Sequence, residues 1–254
     1  MSKKHDDFGN RMKGYEKTGT WLTVPVTQPL CIRIDGKGFS KFTKGFSKPF
    51  DARIRAAMVE TTKTLIEVTS AKIGYTQSDE ISLVILPGEH ASEHIFGGKV
   101  SKLNSILASV ATAHFNKALG HTKLAYFDCR SFGVPTLEEA ANVLLWRAQD
   151  ARKNSISAAC RWIAGHREMQ NLDQQQMINL MSSKYGIFWH GLEPEFKYGT
   201  LVFSKNMTRR AGDLELDFIP EAKRPDPDTM ITRRSLVEEP ASEPCFETYL
   251  NLLT

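Results

Sequence analysis

The sequence predicts an α+β fold built on a β-α-β-β-α-β order, with an added C-terminal helical region. Three observations carry this reading. Two helical stretches with apolar residues at core spacing alternate with short apolar extended segments. Two of those segments are separated only by Ser78 and Asp79, and Pro135 stands just before a long helical run. The first strand reads PLCIRID (29–35). A helix is expected over 51–73, with Ile54, Ala57, Met58, Leu65 and Ile66 as core contacts. KIGYTQ and EISLVIL then form a hairpin. A second helix covers 97–119, and KLAYFDC (123–129) is a fourth strand. Beyond Pro135, one helix is expected from Leu137 to about Gly165 and another within NLDQQQMINLMSSKYG. TLVFSK reads as a strand, and the proline- and acid-rich IPEAKRPDPDTM reads as a loop.

This order is the split pattern of ferredoxin-like folds, the palm topology of many polymerases and nucleotide cyclases. A fold alone proves no activity. The expected division is a palm-like catalytic domain over 1–135 and a C-terminal helical region with an acidic tail over 136–254, packed on the palm.

The chain has 254 residues, enough for one large domain or two closely packed ones. No apolar run approaches a membrane span, and the polar start lacks the apolar core of a secretory signal. Cys31, Cys129, Cys160 and Cys245 are scattered without a CxxC pair. That argues against disulfides and a cysteine zinc site, and for a reducing, cytoplasmic setting. The net charge of +4 is unevenly spread. Residues 1–50 hold ten Lys/Arg against four Asp/Glu, whereas residues 213–247 hold ten acids against four bases. The basic segment suits a polyanion, because each phosphate contact releases counterions. A lysine-rich solvated face accounts for it equally well.

Asp35 ends the first strand, and Asp79 lies in the hairpin joining the second and third. In a split sheet, strands one and three are central antiparallel neighbours, so the two acids meet at one edge. Clustered carboxylates repel unless a positive charge sits between them. Two Mg²⁺ ions, which take hard oxygen ligands, would fill that role and support an in-line displacement. The alternative is that both acids are turn residues that accept backbone amides. Glu80 should point to the opposite face from Asp79 and act as a supporting group. In DGKGFSKFTKGFSKP, Gly36 and Gly38 permit close backbone approach, and successive amides could cradle a triphosphate. Lys37, Lys41, Lys44 and Lys48 follow in sequence. The stretch lacks the GKS/GKT ending of a Walker loop, and a flexible lysine-rich loop stands as its plain reading.

Several long motifs stand in order: RIDGKGFSKF (33–42), FSKPFD (46–51), GYTQSDEISLV (74–84), FGGKVSK (96–102), FDCR before Pro135, and WRAQDARKN (146–154). Together they resemble the tRNA-histidine guanylyltransferase family over most of residues 5–200, and in particular its bacterial-type, guanylyltransferase-like branch. The resemblance implies an enzyme that adds nucleotides to the 5′ end of tRNA in the 3′–5′ direction, after ATP or GTP activates that end. Template-dependent 5′-end repair is the activity implied for this branch. The resemblance assigns catalysis to Asp35 and Asp79, and metal binding to Asp35, the Gly36 carbonyl and Asp79. Nucleotide contacts fall on Asp35, Gly36, Lys37, Gly38, Phe39, Ser40, Lys48, Ser78 and Asp79. It gives supporting or RNA-contacting roles to Lys102, Arg130, Arg147, Asp150 and Asn154; beside it, Glu80 reads as a supporting group, and Arg152 as an RNA-phosphate contact or part of a solvated helix face. The implied partners are tRNA, ATP, GTP and other NTPs, with a homotetramer by family resemblance.

Two departures bear on the substrate. Enzymes specialised for histidine tRNA usually carry His-Ile-Asn-Asn where this chain has Arg152-Lys153-Asn154-Ser155, and paired arginines where it has Gly98-Lys99. These departures move the expected substrate from histidine tRNA alone toward truncated tRNA. Addition of a single extra 5′ G is the runner-up. A palm-type nucleotide cyclase and a non-catalytic tRNA-binding protein are the readings from other classes.

The seven histidines show no metal-ligand spacing. Trp146 and Trp162 are expected in the core because their helix neighbours are apolar, while Trp189 is ambiguous. Cys129 is expected as a small buried side chain.

Overall fold

Alternation along β1 (Leu30–Gly36) turns Leu30, Ile32 and Ile34 to one face of a sheet. Cys31, Arg33 and Asp35 therefore face the other side. The computed structural model describes residues 15, 22–88, 93–214 and 219–254. Lys3, Lys4, Arg11, Lys13 and Lys17 of the basic segment, and Glu215 and Asp217 of the acidic one, lie outside these residues.

The chain continues into α1 (Ala52–Thr69), whose N-cap Asp51 accepts from the Arg53 amide at 3.0 Å. The helix ends at Ser70 in a left-handed conformation, so the expected 51–73 helix stops early and Ile73 opens β2 (Ile73–Gln77). β3 (Glu80–Ile85) returns as the hairpin partner of β2. The next helix, α2 (Val100–Leu119), starts later than the expected residue 97. Gly97 and Gly98 have φ of +62° and +66°, outside the helical region.

The fourth strand, β4, runs Phe127–Gly133, not 123–129. The reason is local. The Asn116 amide brackets Ala125, donating to its carbonyl at 2.8 Å and accepting from its N–H at 2.9 Å. The Lys37 amide takes the Tyr126 carbonyl at 2.8 Å. Those backbone groups are spent before a ladder can form, so pairing with β1 begins at Phe127.

Beyond Pro135, Thr136 caps α3 (Leu137–Ile163), accepting from the Glu139 amide at 3.2 Å. α4 (Gln174–Tyr185) follows. The tail holds more regular structure than expected. The strand at residue 200 extends as β5 (Thr200–Arg210), and residues 230–240 form a second strand, β6 (Met230–Pro240), with α5 (Phe246–Leu253) after it. β5 and β6 pair over eleven residues each. The connection at 219–229 holds only a single 3-10 turn, Glu221–Lys223.

All six strands form one antiparallel sheet in the order β4-β1-β3-β2-β5-β6. α1 and α2 cover the face carrying Leu30, Ile32, Ile34 and Leu83. α3 and α5 cover the other, over Cys31, Ile73, Tyr75 and Val84. A third cluster packs α4 and Trp189 on the C-terminal half of α3. No helix among the described residues is long and apolar enough to cross a membrane.

The core expectation fails for both Trp146 and Trp162, which are 53% and 51% exposed, while the ambiguous Trp189 resolves as fully buried. The buried stripe of α3 runs through Ala140, Ala141, Leu144, Ala148 and Ala151. Trp146 stands two residues from Leu144, roughly 200° round the helix, and so misses the stripe.

Candidate active site

Strand order brings the two acids together. Asp35 pairs in register with Glu80 on β3, and the Gly36 amide donates to the Asp79 carbonyl at 3.1 Å. A Cβ on Gly36 would lie 2.8 Å from the Asp79 Cβ and 3.0 Å from its Oδ2. Glycine there is what lets the backbone pass the carboxylate. Ser78 has φ of 57° and donates its hydroxyl to Asp79 Oδ1 at 3.1 Å, which fixes the carboxylate in the turn. Asp79 is thus a turn residue, as the alternative had it, although its partner is a hydroxyl; Asp35 lies within β1 and does not fit that alternative.

Burial and the neighbouring Asp35 charge raise Asp79 to about 6. Asp35 is also raised, by burial and by Asp128, against the pull of Arg33 and Arg147. Both groups resist carrying charge without a cation beside them. Among the described residues no group of three or more His, Cys, Asp or Glu side chains could hold a metal. The donors that fit a hard cation here are two carboxylates and the Gly36 carbonyl.

Asp35, Ser78, Asp79 and Glu80 line a cleft of about 520 Å³ between the sheet edge and α3. Arg147, mostly buried on α3, grips Glu80 with two hydrogen bonds of 2.5 and 2.6 Å and reaches Asp150 at 3.0 Å. Asn154 reaches Asp150 at 3.5 Å. Glu80, in register with Asp35, shares its face of the sheet, and its two oxygens are committed to Arg147. Arg161, Pro49, Phe50 and Phe196 also border the cleft and were not singled out from the sequence. Arg161 sits at helical spacing from Arg147 and Asn154 (147, 154, 161), a periodicity that would have pointed to it.

The glycine-rich stretch makes a turn, not a loose loop. Gly38 is left-handed and heads a single helical turn, Phe39–Phe42. The Phe39 ring is buried against Phe42, Phe115 and Phe127, which leaves only its backbone for a ligand. Lys37 and Ser40 are exposed. Lys48 is exposed, with its ammonium 3.4 Å from Thr43 Oγ1. Arg130 on β4 pairs with Arg33 and reaches Asp128 at 3.5 Å.

Two assigned residues lie elsewhere. Lys102 is in the first turn of α2, which follows Gly98; Gly98 is bonded to Val24, and Val24 sits beside Gly133. Gly133 pairs with Leu30, at the opposite end of β1 from Asp35. Within one chain, Lys102 stands away from the cleft, with its ammonium 5.2 Å from the Phe96 ring. Arg152 turns inward: it lies 5.3 Å over Trp189, donates to Gln174 at 3.1 Å and approaches Glu243 at 3.5 Å. Cys129 is half-buried, and burial pushes its thiol up to about 12, which disfavours the thiolate.

Residues 9–135 match the family model described as tRNAHis guanylyltransferase. An uncharacterised protein of Acanthamoeba polyphaga mimivirus is 32% identical over 78% of this chain and 77% of its own length. A probable tRNA(His) guanylyltransferase of Dictyostelium discoideum is 27% identical over 69% and 75%. Among solved structures, a bacterial guanylyltransferase-like protein in complex with ATP superposes with a TM-score of 0.74 at 36% identity, covering 78% of this chain and 88% of that one. A bacterial protein of the same description in complex with GTP gives 0.70 at 32% identity, covering 91% of both chains. The match spans the residues that build the paired carboxylates, and this chain belongs to the tRNA-histidine guanylyltransferase family of nucleotidyltransferases.

Proposed function

We propose that this chain is a 3′–5′ nucleotidyltransferase that extends the 5′ end of tRNA, with template-dependent repair of truncated ends as its activity. The observation that carries the chemistry is the meeting of Asp35 and Asp79 on a cleft beside the Gly36–Ser40 turn. The likeness to bacterial guanylyltransferase-like proteins bound to ATP and GTP supports the repair branch. Arg152, where specialised enzymes carry histidine, is engaged inside the fold and adds to that support.

In this reading β1 to β4 with α1 and α2 form a ferredoxin-like palm, supported by the β4-β1-β3-β2 order. Residues 1–135 are the catalytic domain and 136–254 pack on it, a division supported by the family match ending at residue 135. β5 and β6 return to complete the palm's sheet. Asp35, Asp79 and the Gly36 carbonyl would hold two Mg²⁺ ions. When bound, these ions neutralise charge on the triphosphate and the developing oxyanion.

The chain's own groups position the reactants. A 5′-phosphate oxygen of the RNA attacks the α-phosphorus of ATP, and pyrophosphate leaves. The 3′-hydroxyl of an incoming nucleotide then attacks the activated 5′ phosphorus, and AMP leaves. The amides heading the Phe39–Phe42 turn face the triphosphate, with Lys37 and Lys48 as cationic donors. Arg147 fixes Glu80 beside Asp35, so the acid row keeps its geometry as phosphate charge moves. Assembly into a homotetramer belongs to the same reading, and sedimentation equilibrium tests it.

The deciding assay incubates 5′-truncated tRNA with ATP, all NTPs and Mg²⁺ and sequences the 5′ ends. Extension that copies the opposite strand is expected. No extension, or extension that ignores the opposite strand, would sink the repair reading. Addition of one G to full-length histidine tRNA is the second reading, favoured by relatives named tRNA(His) guanylyltransferase. The same assay on that substrate separates the two.

A further inference from the structure

Next to the carboxylate row, the sheet carries two arginines directly opposite each other, Arg33 on β1 and Arg130 on β4. Like charges facing across strands destabilise a sheet. Arg33 feels the Asp35 and Glu80 charges only at longer range. Among the described residues Arg33 has no carboxylate within ion-pair distance, and Arg130 has only Asp128 at 3.5 Å. The pair stands two residues along β1 from Asp35, roughly 7 Å.

Beside the arginines lies a pocket of about 200 Å³, lined by Ser82, Phe132, Val143 and Trp146 and adjoining the catalytic cleft through Arg33 and Arg147, which border both. Ser82 is 2% exposed, and its hydroxyl has no hydrogen-bond partner among the described residues. An orphaned buried hydroxyl is costly, and it calls for a ligand with a polar edge. Trp146, the half-exposed wall, has the Arg147 guanidinium 4.6 Å and the Arg33 guanidinium 5.9 Å from its ring centroid, and the rest of the indole is open to a stacking partner. The site therefore offers paired cations, an aromatic wall, a slot with apolar sides and one unpaired hydroxyl at the bottom.

We infer that this pocket binds one nucleotide of the RNA strand beside the reacting end. The base enters against Trp146 and hydrogen-bonds to Ser82, and a backbone phosphate bridges Arg33 and Arg130. The inference rests on the RNA-end reading above. A base has a π-face for the indole and polar edges for the hydroxyl. A phosphate removes the repulsion between the guanidiniums. A free nucleotide has the same chemistry, and the experiment separates the two sources.

The full-length protein, in EDTA so that no triphosphate site is assembled, is titrated with a 5′-phosphorylated RNA tetranucleotide. Tryptophan emission and the anisotropy of a 3′-labelled copy are both recorded. Quenching is expected, and Trp146→Phe removes it while anisotropy still reports binding. The double variant Arg33→Gln/Arg130→Gln is expected to weaken binding by at least about tenfold and to lower the salt slope. Ser82→Val fills the slot and weakens binding with an unchanged melting temperature.

The inference is overturned if the double variant binds within twofold of wild type, or if quenching survives Trp146→Phe. Equal quenching by ribose 5-phosphate would also overturn it, because no base is involved. Quenching by AMP or ATP that equals the RNA's, with the same sensitivity to the variants, identifies a free nucleotide as the occupant and overturns the RNA assignment. Loss of 5′-end extension with these results intact would remove the RNA-end reading and leave the pocket. Extension with unaffected variants would do the reverse.

Discussion

Asp79→Asn should make the metal-free protein more stable and catalytically dead. Burial and Asp35 raise Asp79 from 3.8 to about 6 in the fold. A folded pKa above the unfolded one means that the group favours the fold when protonated. Its contribution is fully present below about pH 4 and is lost as pH rises through 6. At about 1.4 kcal/mol per pKa unit, the cost of the charge at neutral pH is about 3 kcal/mol, an upper figure for a partly exposed carboxyl. Asparagine keeps an acceptor for Ser78 and never carries that charge.

Urea or thermal unfolding in EDTA should show the variant about 2–3 kcal/mol more stable at pH 7.5, roughly 5–10 °C in Tm. The advantage should vanish at pH 4, where both side chains are neutral. Added Mg²⁺ should stabilise wild type by mass action and leave the variant nearly unmoved. An equal or lower stability of the variant at pH 7.5, or an advantage that does not change with pH, would refute the electrostatic argument.

Three further outcomes follow from the same geometry. Gly36→Ala pushes a methyl into Asp79 and against the Phe39 ring at 2.6 Å. A loss of about 1–3 kcal/mol in stability and at least a tenfold weaker ATP affinity by calorimetry are expected. Arg147→Ala strands the mostly buried Glu80 and should cost about 3 kcal/mol in urea unfolding, with Glu80→Gln in the same chain recovering part of it. Lys102→Ala should leave ATP affinity within twofold of wild type, because Lys102 stands at the far end of β1; a tenfold loss would mean that a neighbouring copy delivers it to the cleft.

The carboxylate site was legible because it depends on strand order and little else. Once a hairpin separates Ser78 and Asp79 from their flanks, antiparallel pairing with β1 forces Asp35 alongside. Glu80 was harder to place. Its alternation from Asp79 assumes an extended residue, yet Asp79 belongs to the turn, and register with Asp35 decides the face. Trp146 misled because apolar neighbours in sequence are not neighbours on a helix surface. β6 was hidden because its exposed Arg233, Arg234, Glu238 and Glu239 give no clean alternation, and β5 alone makes it a strand. The Arg152 contacts with Gln174, Trp189 and Glu243 join segments distant in sequence, where no local signal exists.

The cleft has two walls of different origin, and that has a consequence for how its shape can vary. The acids and the turn headed by Gly38 lie within residues 9–135, where the family model matches. Arg147, Asp150, Asn154 and Arg161 come from a single 27-residue rod, α3, beyond it. Such a rod, about 40 Å long, is a modular jaw. Substitutions at Asn154 or Arg161 on its cleft side would reshape the opening while Asp35 and Asp79 stay in place on the sheet. One wall of the cleft can therefore vary in shape and charge while the other, with Asp35 and Asp79, is left untouched.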